Sequence, residues 1–255
     1  MSAVSENTVY LNQSWLDGNL NKKSQGSLLD RVVTYMRRGS GANRTLKIIQ
    51  KISRIITENG VSSDSLKRLD TGIGLTGSAL GLTRIPASMV GAYKSISALR
   101  TSGDGISFTR KIVESVRDTM DFISGLSCAV AFVANHSTAG VVGQVTGLAS
   151  DVADLQVTAS DYEKAVELEG RSTGGIRTVL NHSKKYYLLR LVQSVVGIAT
   201  GILGVVMLAT GAPIVPTLAW ISISLSMLVF SIALSFFKNK GPHKIVKFDK
   251  NVELG

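Results

Sequence analysis

The sequence has little of what disulfide-stapled or metal-binding proteins need. Its 255 residues include one cysteine, Cys128, so no disulfide can form within the chain and a disulfide-rich secreted fold is excluded. Its three histidines, His136, His182 and His243, lie far apart, and their spacing matches no metal site. We therefore predict that the chain holds no metal and no cofactor.

Motifs of catalysis are also missing. There is no Ser/His/Asp set with a nucleophile elbow, no HExxH sequence and no Walker lysine. Cys128 lies in an apolar stretch, where a thiol is normally an inert core residue. Aromatic residues make up 6% of the chain and do not alternate with the basic ones, so no base-stacking platform is predicted. We expect neither an enzyme nor a nucleic-acid-binding protein.

A cleavable signal peptide is not visible in this sequence. Residues 1–27 are polar and lack the apolar core of about 7–15 residues that such a peptide needs. We predict that they form a disordered polar leader. Two delivery routes stay open: export that reads an unstructured N-terminus, and insertion from the cytosol after synthesis.

Charge is absent from 47 consecutive residues, 191–237. Taking an ionised group out of water is costly, so a long uncharged run is typical of a non-aqueous environment. A membrane helix needs about 20 apolar residues. Residues 191–210 and 218–237 supply two such lengths, and the turn between them contains Gly211, Pro213 and Pro216. The run predicts a helical hairpin that crosses a lipid bilayer twice.

Basic residues flank this predicted hairpin on both sides. The turn carries no charge, and positive residues favour the non-translocated side, so we predict that both termini face one cytosol-like compartment. The net charge of +10 suits contact with anionic lipid. The predicted membrane-surface residues of the flanks are Lys184, Lys185, Arg190, Lys238, Lys240 and Lys244.

Small residues recur within both predicted spans. Lipid offers no hydrophobic drive for helix association, so close packing of small and hydroxyl residues has to supply it. We predict that a glycine face and a serine face meet inside the hairpin. The alternative, in which these faces meet another copy of the chain in a homo-oligomer, stays open. The predicted packing residues are Gly197, Gly201, Gly204, Ser222 and Ser226.

A basic amphipathic helix is predicted between Asn43, as its N-cap, and Asn59-Gly60, as its C-terminal stop. Isoleucines fill one arc of this helix at 100° per residue. Either this arc lies in a lipid interface, or it packs against other helices of its own domain. The basic residues of the opposite arc, which are the remaining predicted membrane-surface residues, are Arg44, Lys47, Lys51 and Arg54.

A second uncharged stretch, residues 122–150, breaks near residue 135. We interpret it as a buried or interfacial helix, because its apolar core is too short to span comfortably; a third spanning segment remains the alternative. The acidic helix that follows, residues 151–169, is predicted to be a solvated face that pairs with the basic helices, with partner docking as the alternative.

These patterns predict an all-α protein of four segments. They are the leader 1–27, an amphipathic helical domain 28–180, a transmembrane hairpin 181–245 and a polar tail 246–255. The predicted function is to present the helical domain to a cytosolic protein partner from the lipid bilayer. The alternatives are a membrane-remodelling protein, and a pore former that first buries the hairpin inside a soluble bundle.

The two uncharged lobes, their short Gly/Pro turn and the Lys/Arg flanks resemble the bilobed hydrophobic domain of chlamydial inclusion membrane proteins. The polar leader is similar to what their type III secretion requires, and residues 31–33, 45–48 and 59–60 resemble part of an antigen of that group. In many members the bilobe lies nearer the N-terminus, whereas here it is C-terminal. The resemblance implies a host inclusion membrane, with both termini in host cytosol.

A second resemblance is to the peroxin-eleven family of peroxisome-elongating proteins. It is based on size, basic pI, amphipathic N-terminal helices and the C-terminal hydrophobic stretch. The apolar run 46–60, followed by 66–69 and 82–84, is similar to their spacing. This resemblance implies that the basic amphipathic helix bends the membrane by wedging into one leaflet.

Overall fold

The computed structural model describes residues 8–20, 39–60, 85–100, 106–134, 137–210, 215–239, 245–248 and 251–255. Within these residues the chain is helical except for two short strands, which confirms the predicted all-α class. The elements in chain order are β1 Thr8–Leu11, α1 Gln13–Leu20, α2 Gly39–Glu58, α3 Ile85–Arg100, α4 Ile106–Ala134, α5 Ser137–Arg171, α6 Gly174–Thr210, α7 Thr217–Asn239 and β2 Asn251–Leu254.

Two helix boundaries show how local sequence sets these elements. Helix α2 ends as predicted: Gly60 has φ +88° and donates its N–H to the carbonyl of Thr57 at 3.1 Å. The helix begins at Gly39, four residues before the predicted cap Asn43, which therefore lies inside the helix and not at its N-terminus. Between α5 and α6, Gly174 has φ +58°, a left-handed conformation that favours glycine and lets the chain reverse.

The chain divides into two compact units. The terminal unit contains Met1–Gln25, Leu155–Val192 and Ala233–Gly255, and the central unit contains Gly26–Asp154 and Gln193–Ile232. The predicted boundaries at 180 and 245 are not found at this division. The units divide inside α5, α6 and α7, because each of these long helices packs against different neighbours along its length.

In the terminal unit, the two ends of the chain pair as strands. Strand β1 lies parallel to β2, with Thr8 opposite Asn251 and Leu11 opposite Leu254. The structure differs here from the predicted disordered leader and polar tail. Leu11 is 0% exposed and Leu16 of α1 is 4% exposed, so a few apolar residues in a polar segment are enough to order it. Residues 1–7 and 21–27 of the leader lie outside the described residues.

A buried polar network holds residues 245–248 against α6 in this unit. The hydroxyl of Tyr187 donates to the carbonyl of Val246 at 2.8 Å, and the N–H of Val246 donates to Ser183 Oγ at 2.9 Å. Ser183 in turn donates to the carbonyl of Val179 at 3.0 Å. Phe248 is 2% exposed and packs against the Tyr187 ring. Each of these buried polar groups therefore has a partner, as burial requires.

The central unit is built from antiparallel helix contacts. Ser95 of α3 hydrogen-bonds Asp118 of α4. Arg117 of α4 forms an ion pair with Asp154 of α5 at 3.5 Å, and Ser150 donates to the carbonyl of Arg117 at 3.1 Å. These contacts join α3, α4 and the first half of α5.

We predict that Tyr187→Phe weakens the terminal unit. The substitution removes the donor to a buried carbonyl of Val246, which costs about 1–3 kcal/mol of unfolding free energy. Thermal unfolding of the full chain in detergent, with hydrogen exchange at the Val246 amide, measures this loss. Tyr10→Phe is the control, since Tyr10 is 52% exposed on β1. Equal effects of both substitutions, or unchanged exchange at Val246, would contradict the proposed network.

Candidate membrane-contacting site

Among the residues that the structure describes, two helices are long and apolar enough to cross a membrane by length and composition. They are Gly174–Met207 within α6 and Thr217–Lys238 within α7. The first part of α6 carries Arg177, Lys184, Lys185 and Arg190, so the uncharged part begins at residue 191. From there to Thr210 the helix has 20 residues, about 30 Å at 1.5 Å per residue, which matches the hydrocarbon thickness of a bilayer.

Much of the apolar surface of these helices is exposed. None of the most apolar stretch of α6 is buried, and only 11% of that of α7 is buried. The central helices of a soluble bundle would have such side chains inside. The covered hairpin that the pore-former alternative requires is therefore not present among the described residues. The exposed large apolar side chains are Val192, Val195, Val196, Ile202, Val206, Leu218 and Val229.

Helices α6 and α7 pack as an antiparallel hairpin within the central unit. Gln193 near the start of the uncharged part of α6 hydrogen-bonds Ser231 near the end of α7. A Cβ built on Gly204 would lie 3.8 Å from the Trp220 ring at the start of α7. Early residues of one helix thus meet late residues of the other, as in the predicted hairpin.

The glycine face of α6 contacts α5, which the sequence did not predict. A Cβ built on Gly197 would lie 3.7 Å from Asp151 Oδ2, and one on Gly201 would lie 3.1 Å from Leu148 Cδ1. Of the three glycines, only Gly204 also lies near α7. A run of small residues signals that a helix approaches closely, but it does not say which helix.

The two predicted packing serines are on the outside of α7. Ser222 and Ser226 are exposed, and each donates its hydroxyl to a carbonyl four residues earlier, at 2.8 Å and 2.9 Å. This internal hydrogen bond satisfies the hydroxyl without a second helix. The structure therefore does not bring the predicted glycine and serine faces together.

The predicted turn and flanking residues are described only in part. Pro216 is exposed and accepts the N–H of Trp220 at 3.0 Å, which starts α7. Lys184 pairs with Glu169 at 2.5 Å, and Lys238 lies 5.8 Å from the centre of the Tyr186 ring. Lys185 is exposed and Arg190 half-buried. The other predicted residues of the turn and flanks, Gly211, Pro213, Lys240 and Lys244, lie outside the described residues.

Helix α2 turns its isoleucine arc outward. Ile49, Ile52 and Ile56 are 41%, 45% and 38% exposed, whereas Ser53 is 3% exposed. Packing inside the domain, which was one of the two predicted roles, would bury the isoleucines instead. Of the predicted basic residues on this helix, Arg54 is exposed and Lys51 half-buried, while the side chains of Arg44 and Lys47 are not described.

Asp151 lies where α4, α5 and α6 meet. Although Asp151 is exposed by its solvent-accessible surface, desolvation by the neighbouring protein atoms, followed by repulsion from Asp154 and Asp121, raises the pKa of Asp151 to about 6. The neighbouring Asp154 forms an ion pair with Arg117 at 3.5 Å. The Asp151 carboxyl therefore takes up a proton under mildly acidic conditions.

We predict that Asp151→Asn stabilises the protein at pH 7. A raised folded-state pKa means that folding favours the protonated form, so the unfolding free energy falls as pH rises from 3.8 to about 6. After discounting for solvent screening, the gain is about 1 kcal/mol. Denaturant unfolding between pH 4 and pH 7 measures it. Glu163→Gln, at an exposed position of the same helix, is the control and should leave the pH profile unchanged. A pH profile identical in Asp151→Asn and wild type would contradict this account.

Comparisons with known proteins do not assign a function to this chain. No protein-family model, no curated protein and no solved structure matches this chain. The resemblances to inclusion membrane proteins and to the peroxin-eleven family therefore stay predictions.

Proposed function

We propose that this chain is a non-enzymatic membrane protein, anchored by the α6–α7 hairpin, that presents its folded helices to a protein partner. The observation that carries the proposal is the uncharged, uncovered surface of both helices. In water, exposed apolar area costs about 25 cal/mol per Å², and hydrocarbon removes that cost. A bilayer is the environment that best suits this surface.

Both termini belong on one side of the bilayer in this proposal. Lysine and arginine flank both spans, while the intervening turn is uncharged, and this pattern favours retention of both flanks in the cytosol. The pairing of β1 with β2 supports the same topology, since it holds the two ends of the chain together in the terminal unit.

A groove in the terminal unit supports partner binding. It has a volume of about 590 Å³ and lies between the end of α5 and strand β2. Lys164, Glu167 and Arg171 line one wall, and β2 is at the edge of a two-stranded sheet. Charged side chains next to a strand edge suit an extended peptide segment of another protein. The bilobed hairpin favours the inclusion membrane of an infected host cell as the location, by resemblance.

We expect the full chain to resist extraction from membranes by carbonate. Ile202→Lys and Val229→Lys place a charge on the exposed apolar faces of α6 and α7, where each costs about 3 kcal/mol in a bilayer. Both substitutions together should release the protein. Val166→Lys, at a position 41% exposed on α5 in the terminal unit, is the matched control and should stay with the membrane. Extraction of the wild type would overturn the anchor.

Protease protection tests the topology of the inserted protein. Tags at residue 1 and residue 255 should be cleaved from the same side, and a tag in the turn should be protected until the vesicles are opened. Cleavage of the two terminal tags from opposite sides would refute the shared compartment.

Membrane remodelling is the second candidate, and the outward isoleucine arc of α2 favours it. An exposed isoleucine face beside basic residues can wedge into one leaflet. If this is the function, the wild type should tubulate phosphatidylcholine–phosphatidylserine vesicles, and Ile49→Ser with Ile52→Ser should abolish the tubules without releasing the protein. Glu58→Ser, on the same helix, is the control. Electron microscopy that shows unchanged vesicles with the wild type would exclude remodelling.

A further inference from the structure

We infer that the uncharged parts of α4 and α5, residues 122–134 and 137–150, form a second, shorter hairpin that contacts hydrocarbon beside α6 and α7. The lipid-embedded part of the chain would then contain four helices. This inference rests on the proposed anchor and extends it, because it assigns a lipid-facing surface to α4 and α5 as well.

The end of α4 and the start of α5 pack antiparallel. Ser124 donates its hydroxyl to the carbonyl of Gly143 at 2.6 Å, and a Cβ built on Gly147 would lie 3.1 Å from Ser124 Oγ. Nearer the charged end, Ser150 hydrogen-bonds the carbonyl of Arg117. The uncharged parts of both helices therefore lie side by side, with α4 ending at Ala134 and α5 beginning at Ser137.

The register of α5 on α6 sets the depth of this second hairpin. The side chain of Gln144 is next to Gly204, that of Leu148 is next to Gly201, and that of Asp151 is next to Gly197. The start of α5 is therefore next to the end of α6. These glycines lie within the proposed span of α6. Residues 144–148 of α5 are therefore at the depth of that span.

The outer surface of the second hairpin has the composition of a lipid-facing surface. No charged residue occurs between 122 and 150, and the polar Ser124 and Thr146 donate to backbone carbonyls of α5. The surface is continuous with the uncovered surface of α6 and α7 through the contacts just given, which is why we assign lipid chains as its occupant. Its exposed large apolar side chains are Leu126, Val130, Val141, Val142 and Val145.

Charged residues mark the inner limit of this surface. Asp121 and Asp151 bound the uncharged stretch on α4 and α5, and the charge of Asp121 acts on Asp151. From Asp151 to the start of α5 there are about 14 residues, or about 21 Å of helix. This is shorter than the roughly 30 Å of a bilayer core. Beyond the level of Asp151, the uncharged part that the four helices have in common is about 20 Å long at 1.5 Å per residue.

Single cysteines test the inference in vesicles of phosphatidylcholine and phosphatidylserine. With Cys128→Ser as background, Val130→Cys and Val145→Cys report on the second hairpin, Ile202→Cys on α6 and Val166→Cys on the terminal unit. Thiolate formation is disfavoured in hydrocarbon, so we expect the first three to react with a water-soluble maleimide at least about tenfold more slowly than Val166→Cys. A bimane on Val130→Cys or Val145→Cys should also be quenched by brominated lipid.

The outcomes separate this inference from the anchor on which it rests. Fast labelling of Val130→Cys and Val145→Cys, with Ile202→Cys protected, would place the second hairpin in water and leave the anchor intact. Slow labelling without quenching by brominated lipid would mean that protein covers these positions, which also overturns the inference. Fast labelling of Ile202→Cys would refute the anchor and the second hairpin together.

Discussion

A polar group inside hydrocarbon has to find its hydrogen-bond partner within the protein, because no water is there to supply one. Several hydroxyls of α6 and α7 meet this requirement through their own helices. Thr200 donates to the carbonyl of Val196 at 2.9 Å, and Ser224 donates to that of Trp220 at 2.9 Å. Gln193 is satisfied across the hairpin by Ser231. If the proposed anchor lies in hydrocarbon, this requirement accounts for the absence of charge between 191 and 237 and for the helical form of both candidate spans.

The terminal unit depends on a different balance of forces, since it contains the ion pairs and the closed core that the spans lack. Glu169 at the end of α5 accepts a hydrogen bond from Lys184 and lies 3.8 Å from Arg177, both on α6. The hydrogen bond and positive charge of Lys184 lower the pKa of Glu169. Its ionised form therefore stabilises the α5–α6 turn above the ordinary pKa of a glutamate, and this contribution falls as the carboxylate takes up a proton in acid.

The sequence was informative wherever a property is local. An uncharged run and the Asn59-Gly60 stop are each visible in a few neighbouring residues, and both were predicted. The pairing of Leu11 with Leu254 was missed because its partners are at opposite ends of the chain, within segments that are polar on average. The partner of the glycine face was also missed. Small residues at 197 and 201 indicate close approach, but only the tertiary structure shows that α5 is the helix that approaches.

The uncharged part of α6 is longer than that of α5, and this difference matters for the surrounding bilayer. The uncharged part of α6 is about 30 Å long, but Asp151 lies at Gly197, about 9 Å inside its start at 1.5 Å per residue. Full insertion of α6 would draw Asp151 and the neighbouring Arg117–Asp154 pair into hydrocarbon, at a cost of several kcal/mol. Thinning the bilayer costs a fraction of a kcal/mol per Å, so removing about 9 Å of mismatch costs a few kcal/mol, which is of the same order. If the proposed anchor inserts, the bilayer around it and the charged residues of α4 and α5 would share this mismatch, so that anchoring and membrane deformation would be properties of the same helices.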